Sequence, residues 1–276
     1  MDSIKVKNFI IVVLLIVNTV LLSVFAADTV REKSMDSSAV EGAVAILAQN
    51  GITVAEDVDL SERQIVSMLV TRDTQLEERM AANVLGSVSV RDQGGNILLY
   101  FGPRGEASFR GTGSVEMNLH AGEYTATDPV EAARSFAREL GLDTVREPVS
   151  NNVDAETLEG TLELCCSCNG VRVVNCTLSF TFAGGELLGV YGTRLLDNAT
   201  QGQRASSIDV PTVLMRFLQI VLDRGRICSS LNALELCYSM TANAAGEGEL
   251  VPIWRIETDT GEFYINAMTG LEEPVS

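Results

Sequence analysis

Val171–Arg194 reads VRVVNCTLSFTFAGGELLGVYGTR. Two apolar or alternating runs, Val171–Phe182 and Leu187–Arg194, flank the short glycine turn Ala183-Gly184-Gly185-Glu186. Such runs on either side of a glycine turn are the signature of an antiparallel strand pair. The pattern recurs on both sides of this stretch. Upstream, Val84–Arg91 and Ile97–Phe101 flank Asp92-Gln93-Gly94-Gly95-Asn96. Downstream, Ile253–Thr258 and Phe263–Ala267 flank Asp259-Thr260-Gly261-Glu262.

Each hairpin region is preceded by a helix with readable ends. Ser38-Ala39-Val40-Glu41 forms a capping box, and Val40, Ala43, Val44 and Leu47 mark one face before Gly51. Asp128-Pro129 starts a second helix, lined by Ala133, Phe136, Ala137 and Leu140 and ended by Gly141. A third begins near Asp209 or Val210, is lined by Leu214, Phe217, Leu218 and Val221, and stops at Gly225. Glycine suits these ends because it accepts the left-handed conformation after a last turn. The three glycines lie 90 and 84 residues apart, which suggests up to three related helix-then-strands units. No connection resembles a parallel crossover. The expected class is therefore α+β, a helix laid on one face of each antiparallel sheet.

Ahead of these units, Phe9–Ala27 reads FIIVVLLIVNTVLLSVFAA, with no charge. At about 1.5 Å per residue it spans roughly the 30 Å hydrocarbon core, so it is read as a transmembrane helix. A signal peptide is the rival, with Val24-Phe25-Ala26 as a weak cleavage site, but the run exceeds the usual signal core. Lys5 and Lys7 argue for a cytoplasmic N-terminus, and Arg31 and Lys33 weaken that bias. Asn18 lies in mid-run, where an amide is better satisfied by a partner helix than by lipid. The expected organisation is a cytoplasmic tail over 1–8, a transmembrane helix over 9–27 and a stalk over 28–37. A first α+β unit over 38–127 and a domain of two helix-plus-hairpin units over 128–276 follow.

The formal charge is −17, and residues 28–276 carry −18 of it because the first 27 hold a net +1. A nucleic-acid binder needs a basic face, so that class is excluded. His120 is the one histidine, which excludes paired-histidine zinc motifs. Neither a glycine-rich phosphate loop nor a Gly-x-Ser-x-Gly elbow is present. The chain is read as non-enzymatic, without cofactor or metal. Cys165, Cys166 and Cys168 crowd one predicted strand, Cys176 lies on the next, and Cys228 and Cys237 follow. Only one Cys-x-x-Cys spacing is present, Cys165 to Cys168, so the two pairs that a zinc ribbon needs are not there. These cysteines are read as packed small hydrophobes or as one or two disulfides, a bridge from Cys166 or Cys168 to Cys176 among the options. Asn175-Cys176-Thr177 and Asn198-Ala199-Thr200 match the glycosylation triplet and carry little weight, Asn175 because it falls in a predicted strand.

The chain resembles the YycI/YycH family of membrane-anchored regulators of Gram-positive bacteria. The resemblance rests on the basic N-terminus running into one apolar segment and on Asn169-Gly170-Val171. It continues through Asn175–Phe180, Gly185–Gly192, Leu250–Thr258 and Tyr264–Gly270. The C-terminal part is similar to YycI and to the small PepSY type of α+β domain, whose strand pair ends in an Asn-Ala-x-Thr-Gly turn. The resemblance implies a single-pass protein with a cytoplasmic N-terminus and an extracytoplasmic domain. It also implies a sensor histidine kinase of a cell-wall two-component system as partner. A YycH-like paralogue is the second implied partner, with contacts through transmembrane helices and outer domains. The motif residues are Trp254, Arg255, Tyr264, Asn266 and Gly270; in a plainer reading Trp254, Tyr264 and Ile256 are hairpin core, and Asn266 and Gly270 are turn formers. An inhibitor or scaffold of PepSY type, binding a hydrolase or a peptide, is the alternative function.

Overall fold

The computed structural model describes residues 38–61, 63–202 and 207–274. Helix α1 covers 38–49. It is followed by β1 (Thr53–Val54), β2 (Met68–Thr71), α2 (Thr74–Leu85), β3 (Ser89–Gly94) and β4 (Ile97–Gly102). Next come β5 (Gly105–Arg110), β6 (Ser114–Leu119), α3 (Pro129–Glu139), β7 (Ser150–Asn151) and β8 (Gly160–Cys168). The chain then forms β9 (Val171–Ala183), β10 (Glu186–Thr193), β11 (Thr200–Gln201) and α4 (Val210–Asp223). It ends with β12 (Ser230–Ala242), β13 (Glu247–Thr258) and β14 (Gly261–Asn266).

These strands do not form separate sheets. Among the described residues they join into one 14-stranded sheet. Its main path runs β11-β2-β13-β12-β9-β10-β6-β5-β4-β3. The expected repeated helix-plus-antiparallel-sheet units are thereby corrected to one large mixed sheet. Two pairings are parallel: β1 with β12, and β9 with β12 at Val173 and Tyr238. The physical reason is edge satisfaction. Small separate sheets would leave rows of unpaired N–H and C=O groups, and joining edge to edge satisfies them. At the β9–β12 junction a side chain extends the ladder. The Asn175 amide donates to the Met240 carbonyl at 2.8 Å, and its oxygen accepts from the Met240 N–H at 2.8 Å. Asn175 therefore serves as sheet glue, which accounts for its place in a strand.

All helices pack on one side of this sheet. On β12, Leu234 and Leu236 belong to one core cluster while Tyr238 and Met240 belong to the other. Side chains two apart share a face, so both cores lie on the same side of the strand. In the first core, Met80, Ala81, Val84 and Leu85 of α2 join Ala133, Phe136 and Ala137 of α3 against Met117, Leu164, Phe180 and Val190. Phe136 meets Phe180 edge-on, with ring centres 6.3 Å apart. In the second, Ala43 and Leu47 of α1 join Val213, Leu214 and Phe217 of α4 against Trp254, Ile256, Phe263 and Ile265.

The helix ends follow their sequence signals. Asp128 caps α3 and Asp209 caps α4, each with proline in the first turn. Gly51, Gly141 and Gly225 all have positive φ, at 82°, 73° and 58°. Helix α2 was not anticipated. Its cap is Asp73, which accepts from the N–H groups of Gln75 and Leu76.

The single-pass placement in a cell membrane is also corrected. Among the described residues no helix is long and apolar enough to cross a membrane. The apolar helix α4 has 14 residues, about 21 Å, short of the roughly 30 Å core. The run over 9–27, Asn18 included, lies outside the described residues.

Candidate functional site

With all helices on one side, the other face of the sheet is left open across β4, β5, β6, β10, β9 and β8. The strand registers place its side chains in rows. One row runs Leu99, Ser108, Glu116, Tyr191, Ser179, Glu163. The next runs Phe101, Glu106, Asn118, Gly189, Thr181, Thr161. Six strands at about 4.8 Å spacing make each row roughly 24 Å wide. Tyr191, which is 50% exposed, stands at the centre and is an exposed large hydrophobe of this face. Beside it Gly189 leaves a dip between Asn118 and Thr181. Leu99, Phe101, Glu106, Ser108, Arg110, Glu116 and their neighbours line a shallow cleft of about 270 Å³. The guanidinium of Arg91 lies over the Phe101 ring, 5.2 Å from its centre.

The face ends at a polar cluster where the two halves of the sheet meet. Arg255 is its hub. It pairs with Glu257 at 2.8 Å, with Glu235 at 3.4 Å and, more closely, with Glu262. Arg172 approaches Glu235 at 3.3 Å. Burial works against the charge of Arg255, but hydrogen bonds and charge from Glu262 and Glu257 outweigh it and hold the group firmly protonated. Burial would raise the Glu262 carboxyl; hydrogen bonds from Arg255 and Tyr264 instead hold it below its ordinary value. Tyr264 donates to Glu262, and burial followed by that carboxylate pushes its phenol up. Two arginines are thus balanced by three glutamates, an arrangement with little positive charge to spare.

Beneath the sheet, on the helix side, lies a second ionic group. Glu77 of α2 is fully buried and accepts from Arg72 at 2.9 and 2.7 Å and from Arg194. Arg194 also bonds Asp197 at 3.0 Å and lies 5.3 Å from the Phe109 ring centre. Two cations and two anions cancel, and the group ties α2 to the chain leaving β10. It is a structural clasp.

The predicted motif residues separate by face. Trp254 points into the second core, while Arg255 and its cross-strand partner Tyr264 belong to the polar cluster. Asn266 organises the turn after β14. Its side chain accepts from Met268 and Thr269 N–H and donates to Glu273, and Gly270 closes the turn at φ 70°. Cys166, Cys168 and Cys176 lie in the first core, and all six cysteines are free and buried. Burial raises every one of these thiols, Cys166 to about 12. His120 is exposed in a loop, its ring nitrogen 3.0 Å from the Pro103 carbonyl. Among the described residues no group of three or more histidine, cysteine or acidic side chains could hold a metal ion.

No family model and no curated protein matches the chain. It is similar in structure to an uncharacterised protein from Eubacterium rectale, with a TM-score of 0.51 and 13% identity. The match covers 82% of this chain and 90% of that one. At that identity the likeness shows a shared fold.

Sequence reasoning placed Tyr264 in the hairpin core, whereas it joins the polar cluster beside Glu262, and it missed Tyr191 as the centre of a face. The signal was present: within Leu187–Arg194, Val190 and Tyr191 must point to opposite faces, and one face had to stay open.

Proposed function

We propose that this chain is a regulatory binding protein, not a catalyst, and that it engages a sensor histidine kinase through the open sheet face. The observation that carries this reading is the row through Ser108, Glu116 and Tyr191, a surface with one exposed aromatic at its centre. Tyrosine offers large contact area with few rotors to freeze, which suits an interface anchor. Glu106, Glu116 and Glu163 outnumber Arg91 and Arg110 on this face, so a mildly basic partner surface matches it. The resemblance to YycI/YycH regulators supplies the kind of partner. A peptide-binding role of PepSY type would use the outer edge of β3. That edge carries Arg91, Asp92 and a bulge between Asp92 and Gly94, devices that blunt edge pairing.

The test is binding of the purified chain to the kinase by interferometry, with a photocrosslinker placed at position 191 or at Glu131 on the helix side. Crosslinking from position 191 alone is expected. Tyr191→Ala should weaken binding about thirtyfold, the loss expected for a central aromatic anchor. Kinase binding that neither Tyr191→Ala nor Glu116→Arg alters, or no binding at all, would sink the proposal.

A further inference from the structure

Beyond the acidic sheet face, one cleft runs against the charge of the whole chain. A recess of about 240 Å³ is lined by Arg134, Arg138, Leu142, Asp143, Thr144, Val145 and Arg146. Three arginines and one aspartate give its lining a net charge of +2, in a chain of −17. The cluster around Arg255 differs in kind, since its two arginines are met by three glutamates.

The fold builds this recess. Helix α3 carries Arg134 and Arg138 one turn apart, so both lie on one face. The helix ends at Gly141, where the Leu142 N–H donates to the Ala137 carbonyl at 2.9 Å and turns the chain back. Segment 143–146 then runs along the free edge of β8, held by Val145 N–H to Cys165 at 2.9 Å and Ser167 N–H to Asp143 at 2.8 Å. Thr144 forms a bridge with Cys166. This return brings Arg146 under α3, where Arg134 donates to its backbone carbonyl.

The positive charge there is poorly neutralised. Among the described residues Arg138 pairs with Glu131, at 3.8 Å and with both side chains largely exposed, a pair worth little in water. The Nε of Arg134 is buried with no hydrogen-bond partner. Like charges one turn apart repel, and a buried donor without an acceptor is costly. A ligand with several anionic oxygens relieves the repulsion among the exposed guanidinium ends. Guanidinium forks match phosphate oxygens two at a time.

We propose that the Arg134–Arg138–Arg146 recess is a binding site for a phosphate-class oxyanion, free or as the end of a small monoester. It stands apart from the sheet face and does not rest on the proposed partner.

The test titrates the full chain with inorganic phosphate by calorimetry at constant ionic strength, with chloride as background. Parallel arms use phenyl phosphate and acetate. Saturable one-to-one phosphate binding is expected, weakened about tenfold in Arg138→Gln and lost in Arg138→Gln/Arg146→Gln. Both side chains are exposed, so the variants should melt like the parent in chloride, which checks the fold. Tighter binding of phenyl phosphate would point to a monoester, and equal binding to free phosphate. Absence of saturable binding, binding unchanged in the double variant, or acetate bound as tightly as phosphate would overturn the proposal.

Discussion

Replacing Glu77 with glutamine tests the ionic clasp under α2. The substitution keeps the side chain's volume and removes its charge. In the native chain the carboxylate is fully buried and accepts two bonds from Arg72, at 2.9 and 2.7 Å, and one from Arg194. Glutamine keeps one acceptor oxygen and turns an N–H₂ toward a guanidinium. Removing one partner of a buried pair costs about 3–5 kcal/mol, because the other charge stays buried without compensation. Asp197 still neutralises Arg194, at 3.0 Å, so the lower end applies, about 3 kcal/mol. For a domain of this size that corresponds to a fall of roughly 6–12 °C in Tm. Urea unfolding followed by circular dichroism would measure the loss, with the slope checked for two-state behaviour. The clasp also predicts coupling. Glu77→Gln/Arg194→Gln should be less destabilised than the sum of the single variants, by about 1–3 kcal/mol. Hydrogen exchange in α2 should rise in the single variant, since the clasp is what ties that helix to the β10 exit. A loss under about 1 kcal/mol, or strict additivity, would refute the reasoning.

Three further outcomes follow from the geometry. Gly192→Ala should destabilise by about 1–3 kcal/mol, because a Cβ there would lie 2.1 Å from the Thr177 carbonyl oxygen at φ 142°. Gly94→Ala, at φ 81° with open space around it, should cost only about 1 kcal/mol; equal losses on urea titration would contradict the steric argument. Asn175→Ala should cost about 1–3 kcal/mol, since it strands both backbone groups of Met240 at the join between the halves; unchanged Tm would show that the join does not depend on this amide. Asp259 is held at about 2, against an ordinary 3.8, by the hydroxyl and N–H of Ser229, with burial opposing. A depressed folded-state pKa stabilises above the ordinary value and loses that contribution as pH falls through about 2. The stability gap between parent and Asp259→Asn should therefore narrow from pH 4 to pH 2, and a gap independent of pH would disprove the linkage.

The sequence by itself determined what depends on near neighbours. Asp128-Pro129, Asp209 and the glycines at 51, 141 and 225 mark helix ends because caps and left-handed turns are settled within a few residues. Hairpin turns such as Ala183–Glu186 were legible for the same reason. Helix α2 escaped notice because Glu77, in the first turn of its buried face, breaks the apolar period that sequence reading looks for. Only the tertiary structure could explain that residue, since its partner Arg194 lies 117 positions away. Long-range pairing likewise decided how the hairpins join. Nothing local tells Val173 that its neighbour is Tyr238 in a parallel register, or that the 38–127 and 128–276 strands share one sheet. The same holds for Arg146, which reaches Arg134 because segment 143–146 takes the free edge of β8. Edge satisfaction and charge pairing act between whichever segments chain folding brings together, and that proximity is written in no short stretch of residues.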